Sequence, residues 1–407
     1  MFNYRVVDLT TDEASICGKV FADLGAEVIK LEEPEGDKTR SRSPFFHDEP
    51  HLERSLFWFA YNTGKKSITL NIDTREGQEI FRKLVQSAHF LVESFTPGYI
   101  SKLHLGYEEI SKINSQIIMA SVTGFGQDGP YSQFKAPDIV CMAMGGEMNL
   151  CGDPDRAPLR LSAPQAYLHA GVEAAVGMLI AHWHRLNTGE GQYVDVSAQE
   201  CIAWEGFHNQ VFWNLNRINI TRQGSWRPFG PYRIRMLFPC RDGFIMLYFI
   251  GGIAFSKGQR ALVQWMDEEG KATELLRGFD WDEFDAAGYS EEMANRLLPP
   301  IVDFIKTKTK QEMLEFALHK GLVCAPISSV KDIIESPQLA ARNYWERTYH
   351  PDLNEALAYP GAPCKSTEPL WQVTQRAPLL GEHNEEIYGQ LGLSQEEIAT
   401  LKDKGII

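Results

Sequence analysis

Apolar and polar positions change period in a regular way along the first 200 residues. Residues 4–10 (YRVVDLT) form a short apolar run of the kind that becomes a buried strand. Residues 14–24 then repeat their apolar positions at helical spacing up to Gly25, and residues 26–32 (AEVIKLE) are again strand-like. Strand, helix and strand within about 30 residues make a βαβ unit, which favours a parallel sheet with right-handed crossovers. Further strands are predicted after Lys65-Lys66, at 90–95 (FLVESF) and at 117–122, with a helix over 75–87 between the first two. The longest periodic stretch follows. Leu168, Val172, Ala175, Val176, Leu179, Ile180 and Trp183 recur as one helical stripe, predicted to face a core. The run NTGEG at 187–191 stops that helix, and QYVDVS at 192–197 alternates like a strand.

Beyond residue 199 a helix carries Trp204, Phe207, Phe212 and Trp213 at a spacing expected to serve packing. Residues 224–233 (GSWRPFGPYR) read as a Gly/Pro-broken linker, and 238–249 as a hairpin turning at Arg241-Asp242-Gly243. Residues 255–320 alternate helical segments with acidic loops. The C-terminus reads as two helices: Gly392 ends the first, and Ser394 with the acidic run behind it forms a capping box for the second. Periodicity alone therefore gives an α/β class.

Composition narrows the function. A chain of 407 residues is long enough for two domains, and its 43% hydrophobic and 23% charged content is that of a soluble globular protein. A net charge of -14 argues against nucleic acid or an anionic membrane as partner, while leaving room for a polyanionic ligand where basic residues gather. No basic n-region precedes an apolar h-region at the N-terminus, and no apolar run reaches the roughly 18 to 20 residues that span a bilayer. Seven scattered cysteines without a CxxC pair fit a reduced, cytoplasmic protein. His182 and His184, two apart on a helix, face different ways, so no metal site is expected. The absence of GxGxxG argues against a dinucleotide cofactor.

Five motifs carry a resemblance. They are P-x-G-D-x-x-R at 34–40, N-x-x-K-K-S-I-x-L at 62–70, V-E-S-F-x-P-G at 92–98, S-x-x-G-F-G-x-x-G-P-Y at 121–131 and R-x-x-T-G-x-G-Q-x-V-D-V-S at 185–197. Together with residues 321–345 and the C-terminal tail, they resemble the family III CoA-transferases nearly end to end, most thinly over 220–315. The resemblance implies a large Rossmann-like α/β domain built from both chain ends (1–220 and 321–407). A smaller middle domain with its linkers (221–320) and an interlocked dimer go with it. It also implies CoA and acyl-CoA as substrates, with no tightly bound cofactor. Carried over position by position, the CoA contacts are Arg40, Leu70, Ser94 (where the family has Asn), Phe95, Lys102 (for Arg), Leu103 and Lys135. Lys38 and Arg42 could also meet phosphates, and Lys65-Lys66 precedes a strand where backbone N–H groups could face an anion.

The departure lies at the nucleophile. In the family an Asp four residues before a helix glycine attacks the acyl-CoA thioester, giving a mixed anhydride and free thiolate; the thiolate then attacks that anhydride. Here the glycine is Gly171, and four residues back stands Tyr167. A carboxylate with a pKa near ~3.9 is ionised at neutral pH and its acyl derivative stays activated, whereas a phenol near ~10 is mostly protonated. Glu173 lies about 240° further round the helix from Tyr167, and His169 offers no carboxylate. Pro137 stands where the related racemases place a catalytic His, and Asp12 and Glu13 stand where the family has an uncharged pair near CoA. No catalytic residue is therefore assigned. The resemblance implies a non-catalytic subunit of a heteromeric transferase, paired with a homologous Asp-bearing chain. It would move CoA from an acyl-CoA such as succinyl-CoA to an organic acid, (R)-benzylsuccinate among the candidates. Two other readings stay open: a stand-alone acyl-CoA isomerase or lyase using Tyr167 or His169 as proton donor, and an acyl-CoA-binding protein without turnover.

Overall fold

The structure, a computed structural model, describes residues 3–229, 232–284, 290–368, 370–373 and 375–407. Its first half alternates strand and helix as the pattern predicts, with one helix at 56–62 that the pattern does not: β1 (Arg5–Leu9), α1 (Ile16–Asp23), β2 (Glu27–Glu32), α2 (Leu56–Asn62), β3 (Lys66–Thr69), α3 (Arg75–Gln86) and β4 (Phe90–Glu93). The short helices α4 (Tyr99–Lys102) and α5 (Tyr107–Ile113) lead to β5 (Ile118–Thr123). Then come α6 (Asp138–Met144), α7 (Glu147–Leu150), the long α8 (Ala166–Thr188), β6 (Tyr193–Ser197), α9 (Ala198–Glu205) and α10 (Phe207–Asn216).

The six strands form one parallel sheet in the order β3-β2-β1-β4-β5-β6. Both faces are covered, which is why the inner strands read as nearly continuous apolar runs. Val6, Val28, Phe90, Val92 and Ile118 pack against α1 and α8 on one side. Val7, Ile29, Ile68, Leu91 and Met119 pack against α3 and α5 on the other, joined there by Ile387, Tyr388 and Ile406 from the C-terminus.

Two compact units result: residues 1–149, 160–219 and 338–407 form the first, and 150–159 with 220–337 the second. Within the second, β7 (Trp226–Phe229) and β8 (Tyr232–Arg235) pair antiparallel where a linker was expected; Gly230 and Pro231 of that stretch lie outside the described residues. The expected hairpin is present as β9 (Leu237–Cys240) and β10 (Gly243–Leu247). It is followed by α11 (Ser256–Glu268), α12 (Glu274–Arg277), α13 (Glu291–Ile305) and α14 (Lys310–Lys320). Next, β11 (Cys324–Pro326) adds to β10. That pairing carries the second unit past residue 320, to Pro337. The first unit resumes with α16 (Pro337–Ala341), after the short α15 (Val330–Ile334), and the hairpin β12 (Trp345–His350) and β13 (Glu355–Pro360). It ends on α17 (Asn384–Gln390) and α18 (Gln395–Asp403), whose Ser394–Glu397 capping box forms as expected.

Helix α8 reverses one expectation. Its core-facing side is Ala166, Ala170, Gly171, Ala174, Ala175, Met178 and Ala181, whereas Val172, Val176, Ile180 and Trp183 are exposed, the last two by 67% and 71%. Close approach decides this. A Cβ on Gly171 would sit 2.5 Å from Ile16 Cγ2 and 2.9 Å from the Ala14 carbonyl, so at this crossing only a residue without a side chain fits. The large apolar stripe points away from the chain's own core. The same holds for Trp204, Phe207, Phe212 and Trp213, all of which are exposed.

Buried charges tie the carboxyl end of β1 to the residue that enters β3. Asp8 and Lys65, both fully buried, pair at 2.8 Å, and Lys65 also donates to the Ser15 carbonyl and to Asn62 Oδ1. Burial works to raise the Asp8 pKa, but the ammonium groups of Lys65 and Lys30 outweigh it and hold the carboxyl below its ordinary range. The Lys65-Lys66 pair is thus an internal cation followed by a surface one bound to Glu27 and Glu386, and not an anion cradle. Replacing Lys65 with Met strands a buried carboxylate. The expected loss is about 3–5 kcal/mol, read as a lower urea midpoint at unchanged slope.

Candidate functional site

In an open parallel sheet the crevice opens where neighbouring strands send their connections in opposite directions, and here that point lies between β1 and β4. A cavity of about 520 Å³ occupies it. Its walls come from the loops after β1 (Thr11), β2 (residues 33–38), β3 (residues 71–73) and β4 (residues 94–96), with Tyr99 from α4. The Thr11 N–H donates to Ser94 Oγ at 2.9 Å, so the two diverging loops are pinned across the crevice. Phe95 and Tyr99 pack ring on ring with centroids 4.8 Å apart, and the Tyr99 hydroxyl donates to Asp73.

Of the seven positions expected at a CoA site, Leu70, Ser94 and Phe95 line this cavity. Lys102 is exposed at the end of α4, and Leu103 beside it packs its side chain into the core under α3 and α5. Lys135 is exposed in the loop before α6; Gln133 of that loop reaches the Pro97 carbonyl. Arg40 is the correction. It is fully buried, binds Glu32 and Glu53 at 2.6 Å each, donates to the Pro378 carbonyl and stacks on Trp58 at 3.8 Å. A guanidinium so enclosed serves the scaffold and cannot meet a phosphate in solvent.

The cavity's charge balance was not legible from the motifs. Its lining holds Lys30 and Lys38 against Glu32, Glu33, Glu35, Asp37 and Asp73. Lys30 is itself spent inside, 3.3 Å from Asp37 and donating to the Thr10 carbonyl. Alternation along β2 could have flagged Lys30 as inward-facing, but no sequence signal names its partner.

Tyr167 stands in the first turn of α8. Its ring is half-buried against the α1–α8 core, and its hydroxyl donates to the Ala136 carbonyl at 2.7 Å. Burial, then Cys141 and the carboxylates of Asp12 and Asp138, push the phenol well above its ordinary pKa. Neither nearby carboxylate is free to replace it: Asp138 Oδ1 accepts the N–H groups of Gln165 and Ala166, and Asp12 binds Lys38 at 2.6 Å. His169 pairs with Glu205 of α9 at 3.1 Å, Glu173 is exposed, and Pro137 caps the start of α6. The phenol is a hydrogen-bonded packing group; nothing around it would ionise it at neutral pH.

The R-x-x-T-G-x-G motif turns out to be structural. Arg185 donates to the His89 and Gln116 carbonyls, tying α8 to the amino ends of β4 and β5. A Cβ on Gly191 would lie 2.0 Å from the Ile117 carbonyl, and Asp195 accepts the Gln127 N–H. Among the described residues there is no His/Cys/Asp/Glu group that could hold a metal, and no helix is long and apolar enough to cross a membrane.

Three comparisons bear on this geometry. The CoA-transferase family III model matches residues 2–384. The chain is 35% identical to the succinyl-CoA:(R)-benzylsuccinate CoA-transferase subunit BbsE of Thauera aromatica, over 99% of this chain and 97% of that one. It is 31% identical to a formyl-CoA:oxalate CoA-transferase of Streptomyces avermitilis, over 99% and 98%. A crystal structure of a CAIB/BAIF family protein from Brucella suis superimposes with a TM-score of 0.81 at 29% identity, covering 95% of this chain and 98% of that one.

One group at the crevice titrates near neutrality. Glu93, 2% exposed at the end of β4, accepts the Phe95 N–H at 2.6 Å. Burial pushes its pKa up to about 7; hydrogen bonds from Ser121 and Phe95 oppose that, and Asp195 adds to it. The folded protein then holds a proton that the unfolded chain releases near 4.5, so this group's contribution to stability falls as pH rises from about 4.5 to about 7. Glu93→Gln should remove that slope. Its stability relative to the native chain, from urea midpoints, should be higher at pH 8 than at pH 5 by on the order of 2 kcal/mol.

Proposed function

The chain belongs to CoA-transferase family III, and on that premise we propose that it is the non-catalytic subunit of a heteromeric transferase whose chemistry resides in a homologous, Asp-bearing chain. The observation that carries this reading is Tyr167. At the position that the family resemblance gives to the nucleophile stands a phenol that is packed, bonded to a backbone carbonyl and raised in pKa. An aryl ester formed there could not relay a CoA thioester. The remaining carboxylates within its electrostatic reach are engaged elsewhere.

Two further observations support a partner chain. The apolar stripe of α8 (Val172, Val176, Ile180, Trp183) and the aromatics of α9 and α10 are exposed in this chain, and contiguous apolar surface of this kind is normally covered by another protein. We assign that covering to the sister subunit, in the interlocked arrangement expected from the family. The donor is read as an acyl-CoA such as succinyl-CoA and the acceptor as an organic acid, with (R)-benzylsuccinate favoured by the likeness to a subunit that bears that substrate in its name. No disulfide links the cysteines of the chain, in keeping with work in the reducing cytoplasm. A stand-alone isomerase using Tyr167 or His169 has less support, since the one hydroxyl is spent on Ala136 and the other ring pairs with Glu205 on a different helix.

Two measurements test the reading. The purified chain should transfer no CoA by itself and should become part of an active enzyme on mixing with the Asp-bearing chain. In that assembly Tyr167→Phe should change kcat by less than about twofold. A drop beyond about tenfold, or turnover by this chain alone, would give Tyr167 a chemical role and end the proposal.

A further inference from the structure

The loop after β1 and the turn at 37–42, which give Thr11, Asp37 and Lys38 to the cavity wall, meet through charged contacts that no motif predicts. Thr11 Oγ1 donates to Asp37 Oδ1 at 3.0 Å. Asp12 Oδ2 lies 2.6 Å from Lys38 Nζ, and Asp12 Oδ1 lies 3.7 Å from Arg42. Arg42 meets Glu13 at 2.8 Å and lays its guanidinium over the Phe57 ring at 3.9 Å. Asp12 reaches both cations from a backbone φ of 54°, a conformation that few residues other than Gly, Asn and Asp adopt readily. Glu13 is almost wholly buried beneath Arg42.

The outcome is an accounting of positive charge. Lys38, Arg40 and Arg42 are the only cations between residues 37 and 42, and each is matched by a carboxylate of the same chain. Lys30, the other cation of the lining, is spent on Asp37. An entering phosphate therefore meets the surplus acids Glu33, Glu35 and Asp73 with no uncommitted ammonium or guanidinium in the lining. To bind, it would have to pull Lys38 or Arg42 away from Asp12 and Glu13 and leave those acids, one of them buried, without a counter-charge.

We propose that Asp12 and Glu13 are specificity-determining residues that close this subunit's cavity to phosphate-bearing nucleotides such as CoA, Asp12 by holding Lys38 of the lining in an ion pair and Glu13 by holding Arg42 beside Asp12. The inference rests on the reading of this chain as a subunit without its own chemistry, and it adds a reason why its cavity stays out of the reaction: the nucleophile is absent and the substrate's phosphates are turned away as well. The cavity keeps its apolar walls (Leu70, Phe95, Tyr99), so a ligand end without phosphates is not excluded by the same charges.

The test is titration calorimetry on the full-length chain at low salt, with coenzyme A and adenosine as probes. Asp12→Asn with Glu13→Gln keeps side-chain size, and Asn tolerates the left-handed φ. The double variant should bind coenzyme A at least about tenfold more tightly than the native chain, with the gain shrinking as salt rises. Adenosine affinity should not change. Equal coenzyme A affinity in native and variant chains would overturn the proposal, and so would an equal gain for adenosine, which would mean the acids act by shape. Thermal unfolding checks that the variant folds. If it does not, Asp12→Asn alone, at a part-exposed side chain, must give a smaller gain of the same sign; no gain there overturns the idea. A negative result would leave the subunit reading standing, because Tyr167→Phe in the assembled enzyme tests that separately.

Discussion

The pairing of buried charges that joins the carboxyl ends of β1 and β2 to the entry of β3 and to the 37–42 turn is the constraint on which the rest of this site depends. Asp8 with Lys65, Lys30 with Asp37, and Arg40 with Glu32 are each removed from water almost completely. Such pairs add little net stability, since desolvation offsets most of their attraction, but losing one partner is costly. Their effect is therefore geometric. They hold the 37–42 turn, through Arg40 and the Asp37–Thr39 contact, against the strand ends, and so define the wall of the crevice. The same pairs commit Lys30, Arg40 and Lys65 to carboxylates of the chain itself. Scaffold and ligand compete for charges of this kind, and these three belong to the scaffold.

That competition explains what could and could not be read from the chain. The βαβ start, the hairpin at 237–247 and the C-terminal capping box were legible because each depends on local periodicity or on residues three or four apart. Arg40 was misread as a ligand contact, and the inward role of Lys65 was missed, because a charged residue in a motif does not announce its partner. Glu53 lies 13 residues from Arg40, and Asp8 lies 57 from Lys65. Helix α8 failed for a different reason. Its larger apolar residues do recur at helical spacing, but periodicity finds an apolar face without saying whether the chain's own core or another chain covers it. The alanines and Gly171 on the opposite side were the better indicator of the internal contact, because close helix approach requires small residues.

On the proposed reading, Tyr167 is a substitution that the fold absorbs quietly. The phenol fills space against the α1–α8 core, and its hydroxyl finds the Ala136 carbonyl, so no buried polar group is orphaned. Gly124 helps, since a Cβ there would come within 3.2 Å of the hydroxyl and 2.1 Å of the Ala136 side chain. Nothing in this arrangement calls for a compensating change elsewhere in the fold. The start of α8 stays fixed by Asp138, whose carboxylate takes two backbone N–H groups at 2.8 Å. Chemistry and architecture are thus carried by different atoms within a few residues of one another.

The same separation runs through the motifs that carry the resemblance. Arg185, Gly191, Asp195 and Ser197 bind carbonyls, allow close backbone contact, accept an amide and cap α9; none of these tasks requires a substrate. Asn62, Lys65 and Ser67 likewise serve Asp8 and Glu32. A chain can keep every one of these contacts, and with them the sheet and the outward faces of α8 and α10, whatever residue stands at the position of a nucleophile. Motif agreement is therefore strong evidence for the fold and weak evidence for turnover by the chain that bears it. Whether a member of such a family acts is decided at a few positions, and on the reading proposed above Asp12, Glu13 and Tyr167 are those positions in this chain.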